Sequence, residues 1–308
     1  MLKLLTSIGL AYAITAAAGH DGAVAAPAEM LGDHPLSHSL WDTRSAERVG
    51  EKVLFAEATA AGWVVIGEKH DNAEHHRLQA RVVDALGRAG RRVAVVWEMA
   101  DPDHAEALRS VNLDTVEGLG RALAWEKRGW PAWAEYQPIA EAALIHRLPM
   151  LPGKPSRDLV RRVARGEPLS AEIASRLDWS RRYPAAAEAD LQGALAASHC
   201  GALPVSALGP MAEVQRFWDA WMAAEMRRAT GPPLNADGAV LITGRGHARE
   251  DRAVPWHLPG DSLTLALVEV VADREKATDY PSFDPDLFDF VWFTPRVDDK
   301  DPCAAFLK

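Results

Sequence analysis

Apolar positions along this chain change rhythm from one segment to the next, and the rhythm predicts the elements. Residues 63–68, Trp-Val-Val-Ile-Gly-Glu, are an unbroken apolar run closed by Gly and an acid. A short run of this kind, without alternation, is a strand buried on both faces, as in a parallel sheet. From 74 to 89 the spacing lengthens: Leu78, Val82, Val83 and Leu86 recur at helical intervals and Gly90 ends the helix. Residues 93–99, Val-Ala-Val-Val-Trp-Glu-Met, return to the strand pattern, so this region reads as a βαβ unit. Helices are predicted over 103–117, 135–146 and 156–165, with a link rich in Trp (Trp125, Trp130, Trp133) and a short strand at 148–151. Further strands are predicted at 239–244, 263–271 and 290–294, the last at a sheet edge. The expected fold is α/β, with a parallel or mostly parallel central sheet flanked by helices.

Residues 166 to about 235 carry no strand pattern; Ala, Arg, Glu and Leu dominate, with Pro at intervals. This stretch reads as a helical insertion, part of a cap over about 156–235 covering the C-terminal strand ends. Its clearest helix is 211–228, with Val214, Phe217, Trp218, Trp221 and Met222 along one side. Such a stripe is core in the simplest reading and a ligand cover in the other.

The N-terminus changes the picture of where the protein works. Lys3 precedes an apolar run over 4–18, and small residues follow at Ala23-Val24-Ala25. A positive start, a run of about 7–15 apolar residues and a small-residue exit fit a cleaved signal peptide, here 1–26, better than a span needing about 20. The expected location is the periplasm, with the functional domain over 40–305. Two cysteines, Cys200 and Cys303, are expected to pair in that oxidising setting. The formal charge of −9, without any Lys/Arg-rich block, argues against a nucleic-acid partner.

Two segments share a design that carries chemistry. Ile66-Gly67-Glu68-Lys69-His70 and Ile242-Thr243-Gly244-Arg245-Gly246-His247 each run from an apolar strand through Gly into a turn presenting His. In a doubly wound sheet, ligands sit beyond the carboxyl ends of the strands. Glu98 ends its own strand at the same edge, where a carboxylate is costly unless paired, bound to a cation or wet. Glu68, His70, Glu98 and His247 are therefore expected in one pocket, as catalytic residues, as metal ligands, or as a structural polar network. His75 and His76 open a helix and are expected at the surface or the site rim; His199 is expected to be structural, and His257 is a weaker pocket candidate.

In order along the chain, Gly-Glu-Lys-His-Asp-Asn (67–72), Trp-Glu-Met (97–99), Tyr136-x-Pro138-Ile139, Gly-Arg-Gly-His-Ala-Arg (244–249) followed by Val254-Pro255, and Phe293-Thr294-Pro295-Arg296 resemble the ChaN-like haem-binding uptake family. That family shares a superfamily with the Tiki proteins and the erythromycin esterases. The resemblance spans residues 41–302. It implies an exported haem- or iron-handling protein with an α/β core and a helical cap. It also implies a haem or small-molecule ligand, a divalent metal such as iron as a second cofactor class, and an outer-membrane uptake system as partner, and it allows a homodimer. The two Gly-x-x-His elements and a Glu that mark the superfamily match Gly67–His70, Gly244–His247 and Glu68 or Glu98. The lipobox Cys of the family's lipoproteins is missing, which puts membrane anchoring in doubt.

Haem requires an apolar slot, an axial His or Tyr and cations for its propionates. Beyond Tyr12 in the apolar leader, the tyrosines are Tyr136, Tyr183 and Tyr280. Tyr136 has the family-like context and Tyr183 follows Arg181-Arg182; Arg245 and Arg249 flank His247. The competing expectation is a hydrolase of the Tiki or erythromycin esterase type, metal-dependent or using a His with a carboxylate partner to activate water. Gly-x-Ser-x-Gly does not occur, so a serine-hydrolase elbow is not the route.

Overall fold

The computed structural model describes residues 30–305, and the predicted signal peptide lies outside the described residues. The chain opens with a hairpin, β1 (Ser39–Asp42) and β2 (Glu47–Val49), then α1 (Glu51–Ala60), β3 (Trp63–Glu68), α2 (Ala73–Arg88) and β4 (Val93–Trp97). It continues through α3 (Ala105–Ser110), α4 (Leu119–Ala122), α5 (Trp133–Ile145) and β5 (Met150–Pro152). Four helices follow, α6 (Arg157–Ala164), α7 (Ala171–Leu177), α8 (Ala185–Ser198) and α9 (Val205–Ala229). The chain then returns to the sheet with β6 (Gly238–Gly244), α10 (Ala253–Trp256), β7 (Ser262–Glu269) and β8 (Phe290–Thr294).

The eight strands form one sheet in the order β2-β1-β8-β7-β3-β6-β4-β5. From β8 to β5 every pairing is parallel. β1 runs antiparallel to β8, and β2 antiparallel to β1, so the sheet is mixed and mostly parallel. The strand 290–294 is thus not an edge: the hairpin covers it. Alternate residues of the buried strands feed two cores. Val64, Ile66, Val95, Trp97, Val240 and Ile242 join α1, α2 and α5 on one face. Val65, Ala94, Val96, Ala239 and Leu241 join Met222, Met226 and Val254 on the other. Burial on both sides is why these segments read as continuous apolar runs.

The helix predicted over 103–117 is broken into a 3-10 turn, Pro102–His104, the short α3 and a second turn, Val116–Gly118. The Thr115 hydroxyl accepts from Asn112 N at 3.0 Å and the Asn112 carboxamide accepts from Asp114 N at 2.9 Å. Side chains that bond to nearby backbone in this way compete with helix. Cys200, just after α8, forms the expected disulfide with Cys303. No helix among the described residues is long and apolar enough to cross a membrane.

Candidate functional site

Three neighbouring strands bring the site together. β6 lies between β3 and β4, with Glu68 opposite Gly244 and with Glu98 N donating to Ile242 O at 3.1 Å. The glycines here provide room. A Cβ on Gly67 would stand 2.7 Å from Arg245 Cα, so only glycine lets the turn Arg245–His247 fold back over β3. A Cβ on Gly244 would stand 2.9 Å from His70 Nε2.

Each histidine has its own carboxylate. His70 Nδ1 donates to Glu68 Oε1 at 2.8 Å, and the same oxygen accepts from the Tyr136 hydroxyl at 2.7 Å. His247 Nδ1 donates to Asp219 Oδ1 at 2.5 Å, and Asp219 Oδ2 accepts from the Tyr183 hydroxyl at 2.9 Å. The two outer nitrogens approach one oxygen: Glu98 Oε1 lies 4.0 Å from His70 Nε2 and 3.7 Å from His247 Nε2. Glu98 Oε2 is held by the Thr243 hydroxyl and by Gly244 N, each at 2.7 Å. The site is therefore two carboxylate–imidazole dyads facing a shared central carboxylate.

Burial and charge set the protons. Burial alone would lower His70, but its bond to Glu68 and the charge of Glu98 carry its pKa up to about 9. His247 moves up for the same reason, with burial outweighed by Asp219 and Glu98. Burial would raise Glu98, yet the charges of His247 and His70 and the bonds from Gly244 and Thr243 hold it at about 2. Glu68 and Asp219 are raised by burial despite their partners, so each dyad keeps its proton above the usual imidazole range. Above them, Lys154 Nζ stands 4.5 Å from the Trp218 ring and 5.9 Å from the Trp130 ring. Trp218 stacks on His247, and Trp130 meets His70 edge-on at 5.0 Å.

Glu68, His70, Glu98, His247, Arg245 and Arg249 all line one cavity of about 640 Å³, together with Ala194 and Ser198 of α8 and Gln215 of α9. Arg249 is taken up by Asp251 and Asp190, whereas Arg245 bonds Leu267 O and makes no ion pair among the described residues. Tyr136 and Tyr183 do not line the cavity; they stand behind the two dyads, buried. Among the described residues, no three His, Cys, Asp or Glu side chains are grouped so as to hold a metal ion. Glu68 is occupied with the inner nitrogen of His70, which leaves only the more widely spaced His70 Nε2, His247 Nε2 and Glu98 Oε1.

His75 and His76 are not at the surface; both are fully buried. Asn72 caps α2 and also donates to Glu269 at 2.9 Å, tying the helix start against the sheet. His75 accepts from Lys69 N at 2.9 Å and contacts the Thr294 hydroxyl at 2.8 Å, pinning the turn that carries His70. His76 stacks on Tyr136, and its Nε2 is 3.3 Å from Glu68 Oε2. Burial, and then the charge of His70, push His76 down to about 3. His257 is buried beside the Tyr183 ring and away from the cavity. His199 ends α8, bonded to Leu195 O. Asp219 and Gln215 join the site without being among the residues that the sequence singles out. The signal for Asp219 is an acid inside Phe-Trp-Asp-Ala-Trp (217–221), where a charge is costly unless paired.

No curated protein matches this sequence. Among solved structures, ChaN of Campylobacter jejuni, described by its cofacial haem binding, superposes with a TM-score of 0.62 at 18% identity, covering 82% of this chain and 95% of that one. The type III effector HopBA1 gives a TM-score of 0.46 at 14% identity, over 79% of this chain and 91% of that one. The family model for haem-binding uptake, Tiki superfamily, ChaN, matches residues 54–258. With two Gly-x-x-His turns meeting at parallel strand ends and a family match over most of its length, this chain belongs to the ChaN family of the Tiki superfamily.

Proposed function

We propose that this protein binds haem in the strand-end cavity, with His70 as the axial ligand. The arrangement of His70 carries this reading. Its inner nitrogen is fixed by Glu68, its outer nitrogen stands beyond hydrogen-bond reach of Glu98, and its side chain is 36% exposed on the wall of an otherwise buried site. A carboxylate on the inner nitrogen fixes the tautomer and makes the outer nitrogen a better ligand. Trp130 supplies apolar surface beside the ring, and Arg245 a cation for a propionate. The tyrosines favour histidine in this role. The Tyr136, Tyr183 and Tyr280 hydroxyls are buried and engaged with Glu68, Asp219, and Val271 and Arg274. His70 would hold the iron through Nε2, and iron reaches this site as part of haem. The family match and the ChaN fold support the same ligand class. The proposal includes export through the N-terminal leader to the periplasm, which the Cys200–Cys303 bridge supports, and a role for α6–α9 as a cap.

Haemin titration followed at the Soret band tests this. The wild-type chain should give a saturable band, and His70→Ala should weaken binding at least about tenfold, the loss of one coordinate bond being worth more than about 1.4 kcal/mol. Tyr136→Phe and Tyr183→Phe should keep the band. Affinity should rise with pH toward about 9, because the iron displaces the proton His70 holds up to that point. Equal haemin binding by His70→Ala and wild type would overturn the assignment.

A second reading has its own observation. Asp219 and His247, 2.5 Å apart, form a buried dyad that orients an imidazole for proton transfer to or from a substrate. Under this hydrolase reading Asp219→Asn removes turnover of esters or amides; under the haem reading no such turnover exists to lose.

A further inference from the structure

The helix that delivers Asp219 also carries an apolar stripe that neither reading uses. Met211, Val214 and Trp218 follow one another on α9 at helical spacing, over about 10 Å at 1.5 Å per residue. α6 and α8 pack on either side of this helix and close two separate small cores. One is built around Val163, Leu177, Phe217 and Trp221, the other around Leu191 and Ala212. Between the two cores a cleft of about 290 Å³ remains open, with the stripe as its floor and Val160 and Leu195 in its walls. The cleft is not isolated. Gln215 lines both it and the strand-end cavity, and the Gln215 amide stands 3.1 Å from the His247 ring. Leu195 of the cleft follows Ala194 of the cavity on the same turn of α8.

We propose that this cleft is the subsite for the apolar arm of an amphiphilic ligand whose anionic end sits in the strand-end cavity beside Arg245. Arg245 lines that cavity; the carboxylate that acts on it, Glu269, makes no ion pair with it and is itself paired with Lys69, so the guanidinium keeps charge for an anionic end. A half-exposed apolar stripe opening on to a charged pocket matches a molecule with the same division along its length. The inference rests on the cavity being the ligand site, and not on haem being the ligand.

Calorimetric titration of the full chain with n-alkyl carboxylates, from hexanoate to dodecanoate, reads the cleft directly. Affinity should rise about fourfold with each added methylene until the arm outgrows the stripe. Val214→Asp and Met211→Lys, both at partly exposed positions, should flatten that rise while far-ultraviolet circular dichroism stays unchanged. Arg245→Gln should weaken every member of the series by the same factor and keep the slope. A flat series in wild type, or an unchanged slope in both apolar variants, overturns the proposal; so does an Arg245→Gln chain that binds like wild type. A wild-type chain that shows the slope but no Soret response to haemin supports this subsite and removes haem as its occupant.

Discussion

Gly67 and Gly244 are both required for room, but what crowds them differs, and so should the effect of replacing them. A methyl at Gly67 meets the Arg245 backbone at 2.7 Å and Ala248 Cβ at 2.9 Å, neither of which can swing aside. Gly67→Ala should lose about 1–3 kcal/mol of stability through overpacking, measured by urea denaturation. A methyl at Gly244 meets the tip of His70, which can move. Gly244→Ala should keep most of its stability and instead displace His70, seen as a changed imidazole signal in nitrogen-15 NMR and weaker haemin binding. Near-equal stability of the two variants would contradict this division. At this scale the residues legible in the sequence are those whose chemistry is expensive where it stands: Glu68 and Glu98 at the ends of apolar strands, and His70 and His247 just past glycines. Their partners are harder to see. Asp219 lies on a helix whose dominant signal is its apolar stripe. His76 looks exposed because nothing in the local sequence reveals that Asn72 ties the helix start to Glu269.

Strands buried on both faces are legible as elements, because a short unbroken apolar run bounded by turn residues suits a strand with a layer packed on each side. β1 and β2 are not, being four and three residues long. Without them in view, β8 looks like an edge. The hairpin supplies the antiparallel partner that β8 needs, with Leu40 opposite Trp292 and Trp41 opposite Val291. An unpaired apolar strand such as Phe290–Thr294 is a template for association. Deleting residues 30–49 should therefore yield a chain that self-associates, detectable by light scattering at concentrations where the intact chain is monodisperse. A truncated chain with unchanged scattering would show that the hairpin has no such protective role. The helices between β5 and β6 are legible as helices from composition, whereas their packing on α9 depends on contacts between residues far apart in sequence.

The buried histidines give the whole molecule an expected pH profile. His70 is raised from 6.5 to about 9, so its contribution to stability is full below about pH 6.5 and is lost as pH rises through about 9. His76 and His257 are lowered from 6.5 to about 3, so the folded state resists their protonation and stability falls as pH drops from about 6.5 toward 3. Glu98, lowered from 4.5 to about 2, adds a further loss as pH falls from 4.5 through about 2. Stability measured by urea denaturation should thus fall toward both limits, with an alkaline limb through about pH 9 flattened by His70→Gln and an acid limb toward about pH 3 flattened by His76→Phe. Limbs that keep their slopes in these variants would refute the assignment. The pairing of Glu68 with Gly244 has a consequence of another kind, in the order of events as the chain folds. Contacts between segments this distant are slow to form, since a long loop must close before any of them is made. The β4–β5 pair and the helices α6–α9 rest on contacts closer in sequence and can take shape while the binding site does not yet exist. Only when β6 slides between β3 and β4 in the correct register do Glu68, Glu98 and His247 meet, and a slip of one residue would turn the side chains of β6 to the wrong faces. Ligand competence is therefore among the last properties a newly made chain acquires.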